Sequence, residues 1–245
     1  MRLDFKSHPF GVEAFFEKST VLTFAVEKNQ LLKYIPPTLC LDTFQDKWAF
    51  IAIAMVQTKN LRPKGFPKFL GSDFYLIGYR IFVRYITKEG KSLRGLYILK
   101  SETDSLKMKF LGDLMTQYKY SKIDILDEAN SEKRTIKSIK AGINLELNLA
   151  KKDVSLPIES PFSSWKEARQ FAGPLPNTFF YIDHSNEMLI IEGIRKNWTP
   201  NPIHIEHYKF EFLDSLGIEN YVLANSFEIE NVEYNWKKGR IEKVN

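Results

Sequence analysis

The stretch FYLIGYRIFVRYITKEGKSLRGLYILKSE, Phe74–Glu102, holds two runs of aromatic and branched side chains on either side of Glu89-Gly90. Runs of this composition around a short glycine-containing break read as a β-hairpin. With Glu89 and Gly90 at the turn centre, Tyr85 faces Arg94, Val83 faces Leu96, Ile81 faces Ile98 and Tyr79 faces Lys100. Strand side chains alternate between faces. Lys100 and Glu102 therefore share a face with Tyr79, and Arg80, Arg84, Tyr97 and Ser101 take the other.

Downstream, TDSLKMKFLGDLMTQY repeats apolar residues at Leu106, Phe110, Leu111, Leu114, Met115 and Tyr118. That spacing predicts a helix over Leu106 to Tyr118 whose apolar stripe packs beside the sheet, with Thr103, Asp104 or Ser105 as its cap. Upstream, STVLTFAVE, LCLDTF and KWAFIAIAMV read as strands, the last buried on both faces. KNQLLKYI reads as a short helix stopped by Pro36 and Pro37.

Further strands are expected near 119–126, 135–139, 143–149, 178–182, 188–195, 203–212 and 227–236. SPFSSWKEARQFAG between them is a second helix, with a serine cap and Gly173 as its stop. Many strands interrupted by two or three helices predict a mainly antiparallel α+β protein, a large β-barrel with helices packed on it. No internal repeat divides the chain, so residues 1–245 read as one domain.

The 35 basic and 30 acidic residues give a mixed surface, so a nucleic-acid partner would need a local basic cluster. KNLRPKGFPKF is the best one, but it is a proline-broken loop with no binding module around it, and no nucleic acid is expected. Cys40, the sole cysteine, excludes an intrachain disulfide and reads as a buried structural residue in a cytoplasmic protein. Trp48 to Val56, the longest apolar run, is too short to span a bilayer, so no membrane is expected. His204 and His207 point to opposite faces of a strand, so no metal is expected. Dinucleotide, P-loop and serine-hydrolase motifs are missing, and no cofactor is expected. Oligomerisation stays open.

LRPKGFPKFLGSDF, GYRIFVRY and GLYILKSETDS, with VLTFAVEKNQLLKYIPPTLCLDTF, ARQFAGPLP and EYNWKKG, resemble the family catalogued as domain of unknown function 2071. Its members resemble the acetoacetate-decarboxylase-like superfamily. The resemblance implies an antiparallel barrel around a small-molecule pocket and, in the decarboxylases, a Schiff-base lysine just after the helix. Laid on this chain, that segment is Tyr118-Lys119-Tyr120-Ser121, with Tyr120 and Ser121 at the places of a lysine pair. Where the decarboxylases carry an acid before the hairpin, LIGYR puts Leu76, while Arg80 keeps the arginine. Acetoacetate decarboxylation is therefore not expected.

Each candidate has a plain structural alternative. Lys119 points away from Tyr118 and Tyr120 and reads as a solvated lysine. Lys100 and Glu102 could move a proton, with Tyr79 beside them, but read first as a rim salt bridge. Arg80 either binds a carboxylate, with Tyr79, Tyr97 and Ser101 nearby, or serves a structural ion pair. The reading that results is a protein binding a small anionic or carbonyl-containing molecule in a barrel pocket. The alternatives are a lyase acting on a keto acid through Tyr118, Tyr120, Lys100, Glu102 or Lys119, and a non-catalytic structural or partner-binding protein.

Overall fold

Strand makes up 52% of the chain in the computed structural model, which describes residues 7–244. The first half runs β1 (Val12–Glu27), α1 (Lys28–Leu31), β2 (Cys40–Leu41), β3 (Trp48–Pro63), β4 (Ser72–Ile86), β5 (Ser92–Thr103), α2 (Leu106–Met115) and β6 (Tyr120–Lys122). The second runs β7 (Leu126–Ala129), β8 (Lys133–Ser138), β9 (Ile143–Asn148), α3 (Trp165–Ala172), β10 (Asn177–Ile182), β11 (Glu187–Arg195), β12 (Asn201–Pro202) and β13 (His204–Phe210). It ends with α4 (Glu211–Ser215), β14 (Val222–Trp236) and β15 (Arg240–Lys243).

The large sheet follows the order β12-β14-β1-β3-β4-β5-β10-β11-β15, with β2 on β4 and β6 on β5. β11 also pairs with β14, from Gly193 opposite Trp236 to Arg195 opposite Tyr234. Pairing is antiparallel except around β5, which lies parallel to β6 and to β10. α2 supplies the crossover that the parallel β5–β6 pair requires. A smaller antiparallel sheet has the order β13-β9-β8-β7.

Side-chain size decides which face of β3 does what. Ile51, Ile53 and Met55 join Ile77, Tyr79 and Ile81 of β4 and Ile136, Leu145 and Leu147 of the smaller sheet in one core cluster. Each fully buried side chain of this size contributes roughly 1.5–3 kcal/mol, so this face holds the two sheets together. Arg134 of β8 reinforces the contact. It bonds Asp127 Oδ1 at 2.7 Å, Thr20 Oγ1 at 3.2 Å and the carboxylate of Glu228, tying β7, β1 and β14 to one buried cation. The opposite face of β3 carries Ala52 and Ala54, too small to fill the space in front of them.

Four expectations are corrected here. The hairpin turn spans Thr87 to Lys91, with Gly90 at φ +76°, and one extra loop residue shifts the register. Tyr85 thus faces Leu93, Val83 faces Gly95 and Ile81 faces Tyr97, until a bulge at Leu99 restores Tyr79 opposite Lys100. Of the expected α2 stripe, Leu106 at 65% and Phe110 at 70% exposure, with Leu111 and Leu114, point outward, while the helix ends at Met115 and Tyr118 beyond it lines the cavity described below. Met108 and Gly112, four residues apart, form the seat instead, because only Gly112 lets the helix approach the Tyr120 ring. Lys119 adopts φ +48°, so the following strand begins at Tyr120 rather than at 119. Cys40 is exposed, since β2 is a two-residue edge strand laid on Arg84 and Val83.

The remaining elements fall near their expected places. Ser105 caps α2 by accepting from Met108 N, and Ser164 caps α3 by accepting from Glu167 N. Within the basic stretch, Arg62 pairs with Glu13 at 3.3 Å and Lys59 with Asp73 at 3.4 Å. Among the described residues, no helix is long and apolar enough to cross a membrane.

Candidate functional site

A cavity of about 140 Å³ lies on the Ala52–Ala54 face, inside the curve of the large sheet. β1, β3, β4, β5, β10, β11 and β14 form its walls, the end of α3 through Leu175 closes one side, and Tyr118 and Tyr120 enter from the segment after α2. Sequence pattern explains the void. Ala52, Ala54 and Gly78 sit side by side across β3 and β4, with Ala54 opposite Gly78 and Ala52 opposite Arg80.

Gly78 does a second thing. A Cβ there would lie 2.8 Å from Arg80 Nε and 2.9 Å from Arg80 Nη2. The guanidinium of Arg80 therefore folds back over the bare glycine and stands in the cavity. Among the described residues it has no carboxylate partner and no hydrogen bond. Burial pulls its pKa below the ordinary value, the phenols of Tyr234, Tyr118 and Tyr120 oppose that, and Arg195 adds like-charge repulsion. A guanidinium stays protonated at any physiological pH, so the cavity holds a fixed positive charge.

Arg195 of β11 is a second lining cation. Its Nη1 donates to Tyr234 Oη at 3.1 Å, another of its N–H groups to the carbonyl of Pro174, and its plane lies 5.6 Å from the rings of Trp198 and Tyr234. Burial pushes the phenols of Tyr118 and Tyr120 far above their ordinary range; Arg80 opposes the rise at both, while Tyr118 adds to it at Tyr120. Both are neutral at pH 7 and can donate a hydrogen bond. Among the described lining residues there is no lysine, aspartate or glutamate. The chemistry available is an anion site with phenol donors and hydrocarbon walls.

The sequence-predicted residues divide between two places. Arg80, Ser101, Tyr118, Tyr120 and Leu76 line the cavity. Tyr79, Tyr97, Lys100 and Glu102 do not. The Leu99 bulge puts Tyr97 into the core cluster beneath the smaller sheet, on the opposite face from Arg80, where equal alternation had placed it beside Ser101. Tyr79 is fully buried there, with its ring 4.7 Å from Phe212.

Lys100 Nζ lies 2.6 Å from Glu102 Oε1 and 4.8 Å from the Phe212 ring. The expected rim salt bridge is thus largely interior, because Glu102 is only 1% exposed. Burial and the charge of Glu102 hold the Tyr79 phenol far above its ordinary range. Arg84 and Arg94 share the buried carboxylate of Asp42, at 2.7 and 2.6 Å from their Nε atoms. Lys119 is exposed.

Sequence reasoning missed Arg195, Tyr234 and the α3 end, which reach the cavity from far along the chain. It also missed the alanine side of β3, for which a signal existed. IAIAM alternates large and small, and the small residues mark the empty face.

The fold is similar to that of acetoacetate-decarboxylase-like proteins. Acetoacetate decarboxylase from Legionella pneumophila superposes with a TM-score of 0.60 at 11% identity, covering 97% of this chain and 89% of that one. The enduracididine biosynthesis enzyme MppR, complexed with the condensation product of pyruvate and imidazole 4-carboxaldehyde, gives 0.57 at 8%, covering 95% and 89%. An acetoacetate decarboxylase-like enzyme from Sphingomonas wittichii gives 0.56 at 10%, covering 95% and 92%. At these identities the likeness is one of fold.

The chain itself belongs to the DUF2071 family, described as an uncharacterized conserved protein, whose model matches residues 14–228. No curated protein matches it.

Proposed function

We propose that the cavity binds a small organic carboxylate, with the carboxylate on Arg80 and the body of the molecule against the apolar walls, and without a Schiff-base lysine. The observation that carries this reading is a half-buried guanidinium, without a carboxylate partner among the described residues, standing in the cavity above a glycine that makes room for it. Holding a partly buried cation without a counter-ion costs desolvation, and an incoming carboxylate offsets that cost with charge-assisted, two-point hydrogen bonds. Among the structural neighbours, one is named for a small oxo acid, acetoacetate, and MppR is complexed with the condensation product of pyruvate and imidazole 4-carboxaldehyde, which keeps small carboxylates in view as the ligand class. In this reading the β11–β14 pairing closes the sheet into a barrel around the site, in a cytoplasmic protein.

A second reading gives the site a reaction. Tyr118 and Tyr120 are neutral phenols beside Arg80, placed to donate a proton or hydrogen bond to a carbonyl oxygen of a keto acid anchored there. It predicts slow carboxylate loss or enolisation that Tyr118→Phe or Tyr120→Phe removes.

Calorimetry with butyrate, pyruvate and acetoacetate tests the binding reading. Binding should be lost in Arg80→Ala and weakened about tenfold in Gly78→Ala, whose methyl displaces the guanidinium. Unchanged affinity in Arg80→Ala overturns it. Borohydride trapping with acetoacetate, read by intact and peptide mass, should give no adduct. An adduct on Lys119, Lys122 or Lys100 overturns the lysine-free mechanism.

A further inference from the structure

We propose that the ligand is a dicarboxylate, bound at one end by Arg80 and at the other by Arg195. The inference rests on the carboxylate reading above and names the ligand class. Two guanidiniums face one cavity, close enough that Arg195 weighs on the charge of Arg80. No lining acid among the described residues neutralises either. Elsewhere in this molecule paired arginines are answered by a carboxylate, as Arg84 and Arg94 are by Asp42. Here the answering charges have to come with the ligand.

Arg195 is held differently from Arg80, and the difference suits a second anchor. The Pro174 carbonyl and the Tyr234 hydroxyl each accept one of its N–H groups, and Trp198 and Tyr234 flank its plane. The head group is thereby oriented, yet a guanidinium has five N–H donors, so three remain for a carboxylate. Neither accepting group is a carboxylate, so the cation is positioned without a counter-ion. Arg80 comes from β4 and Arg195 from β11, two separate strands of the wall. Much of the remaining lining is hydrocarbon, including Val21, Ala54, Phe82, Leu96, Ile98 and Val232. Such walls fit the methylene linker of a short dicarboxylate; a compact phosphate would lose its hydration against them with too few donors in return.

The experiment measures affinities of the wild-type protein for matched pairs, butyrate against succinate and valerate against glutarate, with glycerol phosphate and inorganic phosphate in parallel. One dicarboxylate should bind at least about tenfold more tightly than its monocarboxylate partner, the gain of one additional charge-assisted contact. Arg195→Gln should erase that preference by weakening the dicarboxylate far more than butyrate, and the butyrate binding that remains reports that the cavity is intact. Arg195→Lys should restore part of it. Equal affinity for the paired acids, equal loss of both in Arg195→Gln, or a preference for the phosphates overturns the dicarboxylate assignment. If butyrate does not bind the wild-type protein, or binds Arg80→Ala as well, the carboxylate reading itself falls, a result distinct from failure of the second anchor.

Discussion

Tyr79 and Arg80 are neighbours on β4 and point into opposite environments. On the Tyr79 face large side chains fill the space up to the smaller sheet, and the buried charge of Glu102 is met at 2.6 Å by Lys100. On the Arg80 face two alanines and a glycine leave the space open, and two guanidiniums face it without an acid. The same strand thus packs a filled core on one side and borders an open cavity, the proposed binding site, on the other. The closed face is still not fully satisfied, since Tyr79 Oη and Glu102 Oε2 have no hydrogen-bond partner among the described residues; what separates the faces is that its buried charge has a counter-ion and the Arg80 face has none.

The largest expected effect tests the closed face. Lys100→Met leaves Glu102 buried without its counter-ion and should cost about 2 kcal/mol in urea unfolding, below the range for a fully buried pair because Lys100 is 29% exposed. A loss under about 0.5 kcal/mol would return the pair to the surface-bridge class and blur the contrast.

The open face should respond with the opposite sign. Arg80→Met replaces a half-buried cation that has no counter-ion with an apolar side chain of similar length, so stability should hold or rise by up to about 1 kcal/mol while carboxylate binding disappears. Thermal unfolding with and without ligand separates the two outcomes. A marked loss of stability in the ligand-free variant would mean that Arg80 has a structural partner, and the comparison would fail.

How much of this contrast was legible beforehand depends on whether it is written locally. The hairpin, both longer helices and most strands follow from alternation, helical spacing and caps, which act over a few residues. The hairpin faces did not follow completely. A three-residue loop and the bulge at Leu99 each displace the alternation by one position, and together they send Tyr97 to the core side while leaving Tyr79 opposite Lys100. The α2 face was misread because amphipathic spacing gives the apolar side of a helix but not its seat, and here Gly112 set the seat by close approach to Tyr120. Within the site, Arg80, Ser101, Tyr118 and Tyr120 were nameable from the hairpin and the segment after the helix. Arg195 and Tyr234 were not, since only the β11–β14 pairing brings them there.

The smallest expected effect concerns acid, and it follows from where carboxylates are and are not. The cavity has none among its described lining residues, so ligand-free acid sensitivity should come from outside it. Asp124, in the connection from β6 to β7, accepts from Ile139 N at 3.0 Å, Lys140 N at 2.9 Å and Ser138 Oγ at 3.1 Å, holding the β8–β9 turn. The backbone N–H groups of Lys140 and Ile139 are the main cause that lowers its pKa from 3.8 to about 2. A carboxylate whose folded pKa is depressed contributes its full stability above the unfolded value, and the contribution fades as pH falls toward the folded one. Between about pH 4 and pH 2, then, wild-type protein should lose stability more steeply than Asp124→Asn, while above pH 5 the variant should be the less stable of the two by a constant amount. Arg80→Met should leave this slope unchanged. Urea midpoints from pH 2 to pH 6 for the three proteins measure it, and a slope that changed in Arg80→Met would reveal an acid facing the cavity and break the division between the two faces.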